Sequence, residues 1–211
     1  KSSSGGVFTL LAEKVIAEGG VVFGARFNES WEVIHDYTET VEGLEAFRGS
    51  KYVQSVIGDN YIKTKQFLNN GRKVLFSGTP CQIAGLKKFL RKDYENLLTV
   101  EVVCHGVPSP MVWRDYLDYK RAKRAAGKNT VSSSLNELPV ITGISFRDKT
   151  NGWKKYCIRF CFSYTQDNKT YTNITPFTND TFMKGFLKDL YLRPSCYHCV
   201  NRQGRSGADI S

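Results

Sequence analysis

The chain has 211 residues and a formal net charge of +10, from 30 Lys and Arg against 20 Asp and Glu. Hydrophobic residues make up 41% and charged residues 24%, the balance of a globular protein long enough to bury a real core. No apolar run approaches the roughly 18 residues of a membrane-spanning helix, no secretory leader is recognisable, and no nucleic-acid motif accompanies the basic charge. A cytoplasmic protein is therefore expected, and its six cysteines read as reduced thiols for metal or redox use rather than disulfides.

Taken in order, Ser2-Ser3-Ser4-Gly5-Gly6 precedes a helix over Val7–Glu18, on which Val7, Phe8, Leu11, Val15 and Ile16 form one apolar stripe. Such an entry presents backbone N–H groups and hydroxyls, which suits an anion and equally suits ordinary capping. Gly19-Gly20 ends the helix. Val21–Phe27 and Trp31–Tyr37 read as a hairpin, with His35 a structural residue among apolar neighbours. A helical turn at Leu44–Phe47 leads into Arg48-Gly49-Ser50-Lys51-Tyr52, a loop whose two cations could hold phosphate or carboxylate. Gly58-Asp59 opens a second helix, Asn60–Leu68, which Asn69-Asn70-Gly71 ends.

The stretch 73–126 then repeats one pattern: apolar strand, tight cysteine loop, amphipathic helix. In the first copy Lys73–Phe76 is the strand, Thr79 the N-cap, Pro80 the first helical residue, and Cys81 lies in the first turn. In the second, Leu97–Val103 is the strand, Cys104-His105-Gly106 the loop, and Ser109-Pro110 opens a helix through Trp113, Tyr116 and Leu117. A right-handed crossover makes the two strands parallel neighbours. Cys81 and Cys104 then emerge at the carboxyl ends of parallel strands, where open α/β sheets bind ligands. The helix dipole favours thiolate at Cys81. The helix ends in Lys120, Arg121, Lys123 and Arg124, with Lys128 beyond. These cations read first as a solvated helix end, then as a contact for a phosphate-bearing cofactor or an acidic protein.

Gly127–Pro139 is polar and reads as a mobile insertion. Val140–Arg147, Trp153–Tyr164 and Lys169–Ile174 form an antiparallel meander, so the fold class is α/β with α+β character: parallel strand–helix units plus a three-stranded antiparallel sheet. On the middle strand Cys157 and Cys161 share a face but stand about 13 Å apart along it. That is too far for one small cluster or a disulfide, so both read as structural. After a helix over Thr178–Leu190 comes Leu192-Arg193-Pro194-Ser195-Cys196-Tyr197-His198-Cys199, a C-x-x-C expected on a loop. With Cys81 and Cys104 it supplies four thiols, enough for a tetrahedral zinc site or a 4Fe-4S cluster.

The motifs SSSGGVFTLLAEKVI, GSKYVQS, KVLFSGTPCQIAGLKKFL, VVCHGVPSP, GISFRDK and LRPSCYHC, in this order, resemble the coenzyme F-420 hydrogenase/dehydrogenase beta-subunit family. The resemblance implies an iron–sulfur flavoprotein oxidoreductase that passes electrons between a hydride carrier (coenzyme F-420 or a nicotinamide-like molecule), FAD and a 4Fe-4S cluster. It implies Cys81, Cys104, Cys196 and Cys199 as cluster ligands, and Ser3, Ser4, Gly5, Gly6, Lys51 and Thr79 as flavin contacts. It further implies a redox partner protein or a ferredoxin-like domain, whose motifs do not occur in this sequence. The chain then reads as a fragment forming one domain over 1–211. Its subregions are a flavin-side helix and hairpin (1–72), the double cysteine unit (73–126), the insertion (127–139), and the meander with the C-x-x-C loop (140–211). Two other readings stand beside it: a zinc-stapled basic interaction module, and a thiol enzyme using Cys104, for which the adjacent His105 is a poorly placed base.

Overall fold

A computed structural model describes residues 6–126, 138–164, 167–201 and 206–210. Ser3, Ser4 and Gly5 lie outside the described residues, as does 127–137 of the expected insertion. The chain divides into two compact units, one formed by residues 1–107 and 193–211, the other by 108–192.

The first unit holds a four-stranded sheet in the order β2-β1-β3-β4. Strands β1 (Val21–Phe27) and β2 (Val33–Thr38) form the antiparallel hairpin. Strand β3 (Val74–Gly78) runs parallel to both β1 and β4 (Leu97–Glu101). The runs Val21-Val22-Phe23 and Val74-Leu75-Phe76 are apolar throughout because both sheet faces are covered. On one face Val21, Phe23, Val74 and Phe76 pack with Leu68 of α2 (Asn60–Asn69) and Ile83, Leu86 and Leu90 of α3 (Pro80–Leu90). On the other, Val22, Leu75 and Val100 pack with Ala12 and Val15 of α1 (Val7–Ala17) and with Leu44 and Phe47 of the 3-10 turn Glu42–Phe47.

The end of the chain returns to this unit. Ile210 bridges Val100 in parallel, and Asp209 Oδ2 accepts from Thr99 N–H at 2.6 Å and from Thr99 Oγ1 at 2.7 Å. Ser206 Oγ donates to the buried Glu101 carboxylate. None of this pairing is encoded near Thr99 in the chain.

The second unit is the meander β5-β6-β7, with β5 Val140–Asp148, β6 Cys157–Tyr164 and β7 Asp167–Pro176. Helices α4 (Pro110–Ala126) and α5 (Thr181–Leu187) belong to the same unit. Trp113 and Tyr116 of α4 meet Phe146, Phe160 and Phe182 with ring centroids 5.0–5.9 Å apart. Strand β6 buries Ile158, Phe160, Phe162 and Tyr164 and turns Arg159 outward, the expected alternation. Cys157 departs from it: the residue is wholly buried, its sulfur accepting from Asn151 Nδ2 at 3.3 Å.

The strand–loop–helix repeat over 73–126 exists locally, but its second helix does not share a unit with its strand. The border falls at Val107, so α4 packs in the antiparallel unit and α3 in the parallel one. The helix expected over Thr178–Leu190 is shorter, because β7 runs on to Pro176 and Asp180 caps α5 by accepting from Met183 N–H at 3.1 Å. The basic end of α4 is also not wholly solvated: Lys120 is buried, over the rings of Phe160 and Tyr116.

Among the described residues no helix is long and apolar enough to cross a membrane.

Candidate functional site

Thr79-Pro80-Cys81-Gln82 starts α3 as its residue types dictate. Pro80 occupies the first helical position and Gln82 reaches back, its Oε1 accepting from Thr79 N–H at 3.0 Å and from Thr79 Oγ1 at 3.1 Å. Cys81 is exposed in the first turn, with its sulfur 3.2 Å from Thr79 Oγ1. Cys104 follows the end of β4, half-buried. Gly106, at φ +148°, allows a tight return here that a side chain would disfavour, and its N–H bonds the Cys104 sulfur. Cys196 lies in a one-turn helix, α6 (Pro194–Tyr197), rather than on an open loop. Pro194 starts that turn instead of breaking structure, because a proline at the first helical position loses no hydrogen bond. The backbone N–H of Cys196 donates to Arg193 C=O at 2.8 Å.

All four cysteines belong to the first unit. Burial pushes the Cys104 thiol up to about 11, and the charges of Cys81, Cys196 and Cys199 all push it the same way. Cys81, Cys196 and Cys199 thus each lie within electrostatic reach of Cys104, although the four come from three distant stretches of chain. Among the described residues, however, no three Cys, His, Asp or Glu side chains stand close enough to hold a metal ion. The donors match a thiolate-bound metal or cluster in kind and number.

What holds the two cysteine turns is a loop whose cations, in the sequence, point to anion binding. In the GSKYVQS stretch, Gln54 accepts from Arg193, the residue that caps α6. Next to it, Ser55 Oγ accepts from Gln82 Nε2 at 2.8 Å and Ser55 C=O from the same amide at 3.2 Å. Ser55 is anchored in turn by His35. The Ser77 carbonyl can only accept, so His35 Nε2 donates to it at 2.8 Å, leaving Nδ1 to accept from the Ser55 hydroxyl at 2.8 Å. Burial lowers the His35 pKa, which favours this neutral tautomer. The ring also stacks on Phe76, centroids 5.1 Å apart. His35, Ser55, Gln82 and Thr79 therefore form a chain of hydrogen bonds that runs from the core out to the exposed Cys81. His35 is structural, as its neighbours suggested, but what it positions is the cysteine turn. The only sequence signal for the rest was the pairing of Thr79 with a glutamine three residues on.

The remaining expected contacts are placed as follows. Gly6 caps α1 in the left-handed conformation, φ +88°. Lys51 turns its ammonium onto the carbonyls of Phe47, Arg48 and Gly49 at 3.2–3.4 Å, near the Phe27 ring, and burial lowers its pKa to about 8. Thr79 is engaged with Gln82 and Cys81. Cys157 and Cys161 lie in the other unit, Cys161 beside Thr172.

Gln82→Ala should remove the amide that donates to Ser55 and leave the Thr79 N–H without its acceptor. A cost of about 1–3 kcal/mol is expected, measured by denaturant unfolding. Alkylation of Cys81, followed by mass spectrometry under native conditions, should accelerate as its turn loosens. Gln82→Glu, which keeps the acceptor for Thr79, should lose less of the turn's protection. An unchanged Cys81 alkylation rate in Gln82→Ala would mean the chain of bonds does not hold the turn.

The family model for the C terminus of the coenzyme F420 hydrogenase/dehydrogenase beta subunit matches residues 71–211. Among solved structures, one chain of the xenon-derivatised F420-reducing NiFe hydrogenase complex from Methanosarcina barkeri aligns at TM-score 0.53 and 19% identity. The alignment covers 99% of the present chain but 63% of that one, so the chain spans less than two thirds of this relative's length. At such identity the likeness concerns the fold. No curated protein matches.

Proposed function

Because the chain belongs to the coenzyme F420 hydrogenase/dehydrogenase beta-subunit family, we propose that it is the cluster- and flavin-carrying part of an oxidoreductase. In this reading Cys81, Cys104, Cys196 and Cys199 bind a 4Fe-4S cluster. Gly6, with Ser3, Ser4 and Gly5, faces the phosphates of FAD, and Lys51 and Thr79 contribute to the flavin's surroundings. The hydride carrier is coenzyme F-420 or a nicotinamide-like molecule, and a redox partner protein exchanges single electrons. A bound flavin would supply the conversion between two-electron hydride transfer and one-electron steps.

The observation that carries the reading is that Cys104 lies within electrostatic reach of each of the other three thiols, Cys81 and Cys104 following the carboxyl ends of the parallel strands β3 and β4. Sheet edges of this kind are where open α/β folds bind ligands. The residues around the thiols have definable tasks. The Gly106 N–H supports negative charge on Cys104. The hydrogen-bonded chain from His35 to Thr79 holds the turn of Cys81, while the Gln54–Arg193 bond holds the start of α6. Thiolates at close quarters repel, and a cationic iron centre is what would offset that repulsion.

Anaerobic reconstitution of the full chain with iron, sulfide and FAD tests the proposal. About four iron and four sulfide per chain are expected for a 4Fe-4S centre, together with retained flavin that a hydride donor reduces. A colourless protein holding stoichiometric zinc and no flavin would overturn it in favour of a zinc-stapled module.

A further inference from the structure

The basic run at the end of α4 is not used by the cysteine site. Three of its cations, Lys120, Lys123 and Arg124, instead line a concavity of about 200 Å³ within the antiparallel unit, facing Asn173 and Thr175 of β7. Each of these cations lies against an aromatic ring. Arg124 lies over the Tyr171 ring at 4.6 Å, Lys123 over Tyr119 at 5.6 Å, and Lys120 over Phe160 at 4.9 Å.

Donors in this concavity outnumber acceptors. Its one carboxylate, Asp180, already accepts from Tyr116 OH, Met183 N–H and Lys120 Nζ, the last at 3.4 Å. Among the described residues, Arg124 Nε is buried with no hydrogen-bond partner, and Lys123 Nζ has the Tyr119 phenol oxygen at 3.3 Å but no carboxylate. Thr175 Oγ1 donates to Asn173 Oδ1 at 3.1 Å, which fixes the amide oxygen on the Thr175 side and leaves the NH2 as a further donor. The macrodipole explains why cations gather at a helix C-terminus, but it applies equally to Arg121. Arg121 does not line the concavity and has acceptors of its own, Pro139 C=O at 3.1 Å and Asp118 at 3.4 Å. Convergence with β7 is particular to the other three, and among the described residues Lys123 and Arg124 have no carboxylate partner.

We propose that this concavity is a binding site for a phosphate-bearing anion. A multi-oxygen dianion supplies the acceptors that Arg124, Lys123 and Asn173 lack, with Arg124 well suited to bidentate contact. The volume falls below the roughly 300–1,000 Å³ of sites enclosing a drug-sized ligand. It therefore fits a phosphate or diphosphate group, the rest of the molecule lying outside. The inference stands on the antiparallel unit alone and does not depend on the cysteines.

Calorimetric titration of the full chain with pyrophosphate at low ionic strength is the test, since it needs no flavin or cluster. Saturable binding is expected, weakened about tenfold by Arg124→Gln or Lys123→Gln and by less than about twofold by Arg121→Gln. Thr175→Val, which frees Asn173 Oδ1 from its donor, should weaken binding without changing net charge. Equal thermal melting of the variants separates lost contacts from lost structure. No binding at about 10 mM pyrophosphate would overturn the proposal. So would equal weakening by Arg121→Gln and Arg124→Gln, the mark of a diffuse basic surface such as one that docks an acidic protein.

Discussion

Replacing Asp180 with alanine is expected to destabilise the antiparallel unit by about 3–5 kcal/mol, the usual cost of removing one partner of a buried ion pair. The carboxylate is 2% exposed and serves three groups from two elements: the phenol of Tyr116 and the ammonium of Lys120 on α4, and the N–H of Met183 at the start of α5. Truncation leaves Lys120 buried over aromatic rings without its counter-charge, Tyr116 without an acceptor, and α5 without its cap. Burial and the Asp180 charge both push the Tyr116 pKa up, so the phenol stays a donor and cannot compensate by ionising. Asp180→Asn keeps a cap and an acceptor but loses the charge, and should cost about half as much. Urea unfolding followed by Trp113 fluorescence measures both. A loss below about 1 kcal/mol in Asp180→Ala would show that the three contacts do not act as a buried group.

If the proposed ligand set holds, the double variant Cys196→Ser, Cys199→Ser is expected to lose essentially all iron and sulfide on reconstitution, because two of the four proposed soft ligands would be replaced by hydroxyls that bind iron poorly. Cys81→Ser and Cys104→Ser should each lower the content as well. Cys157→Ser and Cys161→Ser should retain it, since both lie in the other unit. Cys157→Ser should nonetheless cost about 1–3 kcal/mol, as it puts a hydroxyl where a fully buried sulfur makes only weak, long contacts with Asn151 Nδ2 at 3.3 Å and Lys155 C=O at 3.7 Å. Iron and sulfide analysis reads the first effect and thermal melting the second. Full iron retention in the double variant would remove the ligand assignment.

Much of this molecule follows from signals a few residues long. The start of α3 is determined by Thr79, Pro80 and Gln82 acting on backbone groups within their own turn. The strands of the meander follow from the alternation along β6, and the buried strands β1 and β3 from unbroken apolar triplets. The four cysteines stand out by residue type and spacing alone. These features rest on sterics, capping and period, which act locally and are the same in any context.

What acts across the chain was not legible. Leu97–Glu101 and α4 are joined by a short loop, yet they pack in different units, because the apolar stripe of Trp113 and Tyr116 finds its partners in Phe146, Phe160 and Phe182. Nothing near Thr99 announces Asp209, 110 residues later, as its hydrogen-bond partner. Arg193 gives no sign of Gln54, nor Ser55 of His35 and Gln82. Polar residues such as these are compatible with many exposed positions, and only burial makes a particular partner obligatory, because an unpaired donor or acceptor costs free energy once water is excluded. Residue type and spacing single out the four cysteines in the sequence; which other residues hold their turns is set by desolvation, and desolvation exists only in the assembled fold.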